Sequence, residues 1–335
     1  MKFLLTTDPG IEEIAAAEVR EKLPGAGAVA RPYGCPGQVG VETSGVDGLL
    51  RLTTIHHVIE VRGESEILPL DGIRSWVRGL PFPELADAAS FRVSSRLVGN
   101  HDVGKLELQR AGGGVLHERY GTPVDLEGFE INVRVDLYAN QLVAGIQETR
   151  DSLGNRVERV RPLRSAIKPT IAAAMLRLAG AHRGGGVLID PMCGSGTIPI
   201  EAARANPGLD VRASDWDAET LEVARETMAR HRVEVEPRLA DARRLGETDP
   251  GRFDYIVTNP PYGVRQARRT SISRLYRALL PSFARAVRDS GRIVMVVVKY
   301  RAFLAALEGS GLRVAAERVV AFGGLEPRIY LLEQD

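Results

Sequence analysis

Four short polar motifs, each placed directly after an apolar run, constrain this chain more than any other feature. The run Val187–Ile189 leads into Asp190-Pro191-Met192-Cys193-Gly194-Ser195-Gly196-Thr197 and a predicted helix through Ala205. Asp215 and Trp216 follow a predicted strand at Asp210–Ala213, and Asp241 and Ala242 follow one at Val235–Leu239. The fourth run, Phe253–Thr258, ends in Asn259-Pro260-Pro261-Tyr262. Short apolar runs alternating with helical stretches predict a parallel sheet built from βαβ units. An open parallel sheet gathers its ligand contacts outside the carboxyl ends of its strands, where all four motifs fall.

Gly194 and Gly196 let the backbone turn tightly and approach a ligand, and the helix that follows offers free N–H groups. Asp215 stands where an acid binds ribose hydroxyls in Rossmann-like folds; Trp216 is placed to pack on an adenine, and Asp241 to accept from its amine. A dinucleotide dehydrogenase does not fit, because Pro199 occupies the last glycine position of Gly-x-Gly-x-x-Gly. Asn259–Tyr262 suits chemistry on a planar nitrogen, whose delocalised lone pair reacts poorly until acceptors hold its N–H groups out of plane. The Asn259 side-chain oxygen and the Pro260 carbonyl are the candidate acceptors. Two prolines stiffen the loop, and Tyr262 is placed to stack on a base. Taken alone, the motif also reads as a strand end followed by a proline-rich turn with a packed tyrosine.

At 335 residues with 44% hydrophobic side chains, the chain has material for two or three domains. Its longest aliphatic run, Ile293–Val298, is too short for a bilayer, and Asp8, Glu12 and Glu13 interrupt the apolar N-terminus, so a cytoplasmic protein is expected. Cys35 and Cys193 have no CxxC spacing and no histidine at ligand distance in the sequence, so neither a disulfide nor a metal site is expected. Residues 1–62 read as a small α/β unit: a strand at Phe3–Thr6, a helix at Ile11–Leu23 capped by Asp8, a strand at Gln38–Glu42 and a second helix at Val46–Thr54. His56 and His57 read as partly buried structural residues. In residues 63–150 a helix at Ile73–Leu80 and a strand at Ser90–Ser94 precede a helix or loop near His101–Gln109. A hairpin follows, in which Ile131, Val133, Val135 and Leu137 alternate with polar residues. Residues 151–163 lack periodicity and read as a basic linker to a domain at 164–335.

The net charge of +1 neither demands nor excludes a nucleic-acid partner. Basic residues nevertheless cluster at Arg156, Arg159, Arg161 and Arg164, at Arg265 and Arg268, and at Arg92, Arg96 and Lys105. These are candidate phosphate contacts, the alternative being charged segments that touch only solvent.

Asp190–Thr197 together with Asn259–Tyr262 resembles the class I S-adenosylmethionine-dependent amino methyltransferases. With Pro162, Ser165 and Lys168-Pro169-Thr170, residues 160–335 are similar to the THUMP-containing tRNA guanine-N2 methyltransferases. Phe91–Arg96 and Tyr120–Asp125 resemble the RNA-binding THUMP module, although a generic α+β domain with surface arginines also fits those segments. Residues 1–62 resemble the ferredoxin-like domain that precedes it. The resemblance implies a Rossmann-like, seven-stranded methyltransferase domain behind α+β ferredoxin-like and THUMP domains, acting as a monomer on a tRNA guanosine, in the acceptor stem. It implies a cofactor site of Asp190, Cys193, Gly194, Ser195, Gly196, Thr197, Asp215, Trp216, Asp241, Ala242 and Asn259, with Asn259, Pro260 and Tyr262 addressing the guanine amine. Ribosomal RNA guanine, DNA adenine and protein glutamine are alternative substrates for the same motif, and a non-catalytic RNA-binding protein is the alternative outside enzymology.

Overall fold

In the computed structural model, which describes residues 1–161, 166–262, 269–321 and 324–335, the chain divides into two units. Met1–Thr7 and Ala15–Leu153 form the first, and Asp8–Ile14 and Gly154–Asp335 the second. The first unit is organised on one sheet. Its elements are β1 (Lys2–Thr7), α1 (Glu12–Lys22, which straddles the two units), β2 (Gly27–Ala30), β3 (Gln38–Glu42), β4 (Ile55–Glu66) and α2 (Leu70–Gly79). They continue with β5 (Phe91–Ser94), β6 (Leu97–Val98), α3 (Lys105–Tyr120), β7 (Ile131–Tyr138) and β8 (Gln141–Gln147). The strand order is β2-β3-β1-β4-β8-β7-β5, with β6 beside β7. The twelve-residue β4 crosses position 62, so residues 1–62 and 63–150 share a continuous sheet. The sequence pattern missed β4 because its polar and apolar residues do not alternate. The helix expected at Val46–Thr54 is reduced to a single 3-10 turn at Leu49–Arg51.

Apolar alternation decides the two faces of this sheet. Val93, Val133, Val135, Leu137, Leu142, Ala144 and Ile146 are buried in the same core as Ile73, Val77, Leu108, Val115 and Leu116 of α2 and α3. That burial carries α3 through three consecutive glycines that disfavour a helix on propensity alone. The other face carries a polar network beside a small apolar cluster of Leu4, Ile59 and Val143: Arg134 holds Asp136 at 2.8 Å and Gln147 at 3.0 Å, and Tyr138 donates to Asp136 at 2.9 Å.

The second unit contains α4 (Pro169–Ala179), β9 (Gly186–Asp190), α5 (Thr197–Ala205), β10 (Leu209–Asp215), α6 (Ala218–Arg230), β11 (Arg238–Leu239), α7 (Leu245–Thr248) and β12 (Phe253–Thr258). It ends with α8 (Arg269–Ala286), β13 (Val287–Val297), α9 (Tyr300–Leu307), β14 (Leu312–Val319) and β15 (Arg328–Gln334). The seven strands lie in the order β11-β10-β9-β12-β13-β15-β14. All pair in parallel except β15, antiparallel to both neighbours. Successive residues enter opposite cores: Ile189, Ile256, Ile293 and Met295 on one side, Leu188, Val257, Val294 and Val296 on the other. Burial on both faces explains why these strands read as unbroken apolar runs. The strand order reverses at β9, which opens a crevice beside the ends of β9 and β12. Among the described residues no helix is long and apolar enough to cross a membrane.

Two segments belong to this unit in a way sequence position does not suggest. Ile11 is fully buried in the core with Ile171, Met175 and Val320, and the Pro9 carbonyl accepts from the Ala321 amide at 3.0 Å. A Cβ on Gly10 would stand 2.0 Å from the Val319 carbonyl oxygen, so only glycine fits there. Asp8 is buried, accepts from Lys168 Nζ at 2.6 Å and also from the Thr170 hydroxyl, which gives Lys168-Pro169-Thr170 a structural role. The second segment is the expected linker, in which Gly154 and Val157 are buried. Val157 is 4% exposed and lies in a cluster with Ile200, Leu221 and Met228. Replacing Ile11 with Ala in the full chain is expected to destabilise the second unit by about 2–5 kcal/mol, checked by denaturant unfolding. An unchanged midpoint would mean that residues 8–14 only rest on this core.

Candidate active site

The end of β9 places Asp190 at the crevice. Its carboxylate is 1% exposed, and Oδ1 accepts from the Thr258 hydroxyl at 2.7 Å and from the Met192 amide at 3.2 Å. Burial pushes its pKa up to about 7 against these bonds, with the nearby Asp215 adding to the rise. Thr258 is the last residue of β12, so a single hydroxyl ties together the ends of the two central strands. Thr258 carries no signal in the sequence beyond its place before Asn259.

The loop after β9 is pinned to β10: the Cys193 amide donates to the Ser214 carbonyl at 2.9 Å and the Gly194 amide to Asp215 Oδ2 at 3.0 Å. Gly194 is in the left-handed region at φ 53°, and a Cβ there would meet nothing within 4 Å, so its open side is free for a ligand. Cys193, Ser195 and Thr197, expected in the cofactor set, are buried. Cys193 packs with Val157, Ile200 and Ala213, and burial pushes its thiol well up. Burial likewise raises the Asp215 carboxyl despite its backbone bonds. Trp216 is 76% exposed, and Leu239, opposite Asp215 in the register, is 63% exposed. Two exposed apolar side chains at neighbouring strand ends suit the faces of a flat ring. Leu239 was not singled out from sequence, since one leucine in an apolar run carries no signal. Asp241 caps the turn after β11 and is held by Arg243 Nε at 2.9 Å, an ion pair it must share with any adenine amine. Ala242 is buried, and its carbonyl accepts from Ser282.

At the end of β12, Pro260 is buried and Asn259 half-buried. The Tyr262 hydroxyl donates to Asn259 Oδ1 at 2.8 Å, and burial pushes its pKa up to about 12. Tyr262 packs partly against the core that holds Val257, so its hydroxyl orients the carboxamide instead of leaving a free stacking ring. A carboxamide oxygen has two lone pairs, so Asn259 Oδ1 can accept from more than one donor.

The arginines read from sequence as phosphate contacts separate into distinct groups. Arg156 Nε binds Glu201 at 3.0 and 3.2 Å, and its Nη2 reaches the Pro169 carbonyl at 3.1 Å. Arg159 donates to the Ile167 carbonyl and, at 3.3 Å, to the Thr197 hydroxyl. Arg156 therefore braces the second unit through a buried acid, whereas Arg159 is held by neutral acceptors alone and its buried Nε has no partner among the described residues. Arg161 and Lys105 are exposed, Arg96 and Arg92 half-buried; Arg164, Arg265 and Arg268 lie outside the described residues. Arg156→Ala would remove the guanidinium that pairs with the 4%-exposed Glu201 side chain. A loss of roughly 3 kcal/mol in stability is expected. The salt dependence of RNA binding should stay unchanged, and a flattened salt slope with intact stability would reverse that assignment.

Residues 156–328 match the model of the RMKL-like methyltransferase domain, and residues 70–146 that of the THUMP domain. The chain belongs to the THUMP-containing RMKL-like methyltransferase family. It is 36% identical to a tRNA (guanine(6)-N2)-methyltransferase of Thermus thermophilus over 98% of both chains. It is 31% identical to one of Archaeoglobus fulgidus over 98% of this chain and 91% of that one. Among solved structures, TrmN from Thermus thermophilus superposes with a TM-score of 0.88 at 33% identity, covering 100% of this chain and 99% of that one.

A methyltransferase domain of this class takes S-adenosyl-L-methionine, and the residues present fit it. The open side of Gly194 gives backbone access, Asp190 and Asp215 offer negative charge to a cationic ligand, and Trp216 with Leu239 offers apolar faces to an adenine. Because Asp190 titrates near 7 when unliganded, a cation is held best by its carboxylate form, and binding should be accompanied by proton release. Cofactor affinity is therefore expected to rise as pH increases from 6 to 8, by at most about tenfold per unit below that pKa. Calorimetry in buffers of different ionisation enthalpy checks this, and Asp190→Asn should flatten the profile. An equally steep profile in that variant would move the titrating group elsewhere.

Proposed function

We propose that this protein transfers a methyl group from S-adenosylmethionine to N2 of a guanosine in the acceptor stem of tRNA, at position 6. The observation that carries this reading is Asn259 at the switch point of the sheet, its amide oriented by the Tyr262 hydroxyl at 2.8 Å and its strand tied to Asp190 through Thr258. The full-length similarity to two proteins named for guanosine-6 N2 methylation supports the choice of atom and position. The enzyme acts as a cytoplasmic monomer and needs no metal, since methyl transfer to an amine requires no Lewis acid.

The cofactor, when bound, supplies an electrophilic methyl group; the residues of the chain do the rest. Asn259 Oδ1 and the Pro260 carbonyl accept the N–H groups of the guanine amine and turn its lone pair out of conjugation. The prolines remove local donors that would compete for those acceptors, and the buried Pro260 fixes the loop on which they stand. No strong base is needed, because the alkylated amine is acidic enough to release its proton as the new bond forms. Positioning supplies most of the rate.

Asn259→Ala is expected to lower the rate by about 10²–10³ while cofactor affinity stays within a few-fold. Tyr262→Phe keeps the ring and loses the orienting bond, so it should lower kcat about tenfold and leave cofactor binding intact. A comparable loss of cofactor affinity in either variant would assign these residues to the cofactor. Incubation with labelled methyl donor and total RNA, then nucleoside mass spectrometry and mapping, tests the activity itself. Label in N2-methylguanosine of tRNA is expected, and label in any other nucleoside, or in none, would reject the reading.

A further inference from the structure

On the face of the first unit's sheet that carries Arg134, two arginines converge on one aromatic ring. Arg92 Cζ lies 3.8 Å from the Phe129 ring centroid and Arg150 Cζ 5.2 Å from it. Each makes only a long bond to a carbonyl, Arg92 to Leu126 at 3.4 Å and Arg150 to Phe129 at 3.5 Å. Neither forms an ion pair among the described residues. The third guanidinium nearby, that of Arg134, is neutralised by Asp136 at 2.8 Å. We propose that Arg92 and Arg150 form a phosphate-binding site for RNA, with Phe129 as backstop and Asn132 as floor.

Unpartnered donors point to an anion. Asn132 is 3% exposed and stands in register with Arg92; its Oδ1 accepts from Ser94 at 2.7 Å, while its buried Nδ2 has no partner. The buried Nε of Arg92 has none either. A buried donor without an acceptor costs free energy, and two like charges held on one ring repel, so one anion bridging them relieves both costs. Burial, with the fields of Arg134, His56 and Arg92, pushes His57 down to about 4 against the opposing field of Asp151. Planar guanidinium forks match phosphate oxygens in pairs. Beside Arg92, Leu126 is 69% exposed and offers an apolar rim to a ribose or base. Together these features favour a nucleotide phosphate over a simple anion. The site rests on the proposed function, because it presumes an RNA substrate.

The test titrates full-length Arg92→Gln and Arg150→Gln proteins with a tRNA transcript across a salt series, using Arg110→Gln on α3 as the control. Each of the first two is expected to lower tRNA affinity roughly tenfold and to reduce the log–log salt slope by about 0.7–0.9. Arg110→Gln should do neither, and cofactor affinity should be unchanged in all three. Transcripts with and without the 5′ phosphate separate the two sources of the group. A loss confined to phosphorylated RNA identifies the terminal phosphate, and an equal loss on both identifies an internal one. Wild-type affinity and slope in folded Arg92→Gln and Arg150→Gln proteins would overturn the site and leave the proposed function standing. An equal loss in Arg110→Gln would replace the site with a diffuse basic surface. If Arg92→Gln does not fold, the exposed Arg150 carries the test alone. A wild-type protein that binds no tRNA would overturn both the site and the proposed function.

Discussion

The hydrogen bond from the Thr258 hydroxyl to Asp190, 2.7 Å long and fully buried, is the contact on which the rest of the catalytic unit depends. It joins the ends of two adjacent parallel strands, so the glycine loop after β9 and the Asn259 loop after β12 are fixed against one another. Asp190 is costly to bury, as its raised pKa records. Such a group persists where the surrounding structure holds it and where a ligand can use it. The Gly194–Asp215 bond extends the same bracing to β10. Three strand ends are thereby set before a ligand arrives, which is the preorganisation a positioning mechanism needs.

Bracing of this kind reaches back to the start of the chain. Asp8 sits beneath the beginning of α4, where it holds Lys168 and Thr170, while Ile11 fills the core beside Ile171. The N-terminal residues are thus part of the methyltransferase unit although a THUMP-bearing sheet separates them from it in sequence. Arg156 and Arg159 close the same region from the other side through Glu201, Ile167 and Thr197. The start of α4, the start of α5 and the segment that joins the units are therefore one hydrogen-bonded assembly.

Charge on this protein has to be sorted by partner, not by count. Arg134 and Arg156 have guanidinium groups committed to buried carboxylates, whereas Arg92 and Arg150 meet one another over Phe129 with no carboxylate between them. An arginine with a buried acid stabilises the fold, and one without is available to an anion. Neighbours in sequence can fall into different classes, as Arg150 and Arg156 do.

The sequence by itself determined the parallel sheet, the four motifs and their order. Strands buried on both faces must be apolar along their whole length, and glycines, acids and prolines must stand where backbone turns and ligands meet. The hairpin at Ile131–Gln147 was legible for the same reason, through its period of two. Tertiary structure alone decided the rest. It made β4 a strand without alternation, because both of its neighbours pair with it, and carried α3 through three glycines because its apolar face is buried. It also turned the Tyr262 hydroxyl onto Asn259, buried Cys193, and separated bracing arginines from unpaired ones. Periodicity reports which face of an element is buried. It does not report which residue from a distant part of the chain stands opposite, and that partner decides whether a polar side chain serves the fold or the ligand.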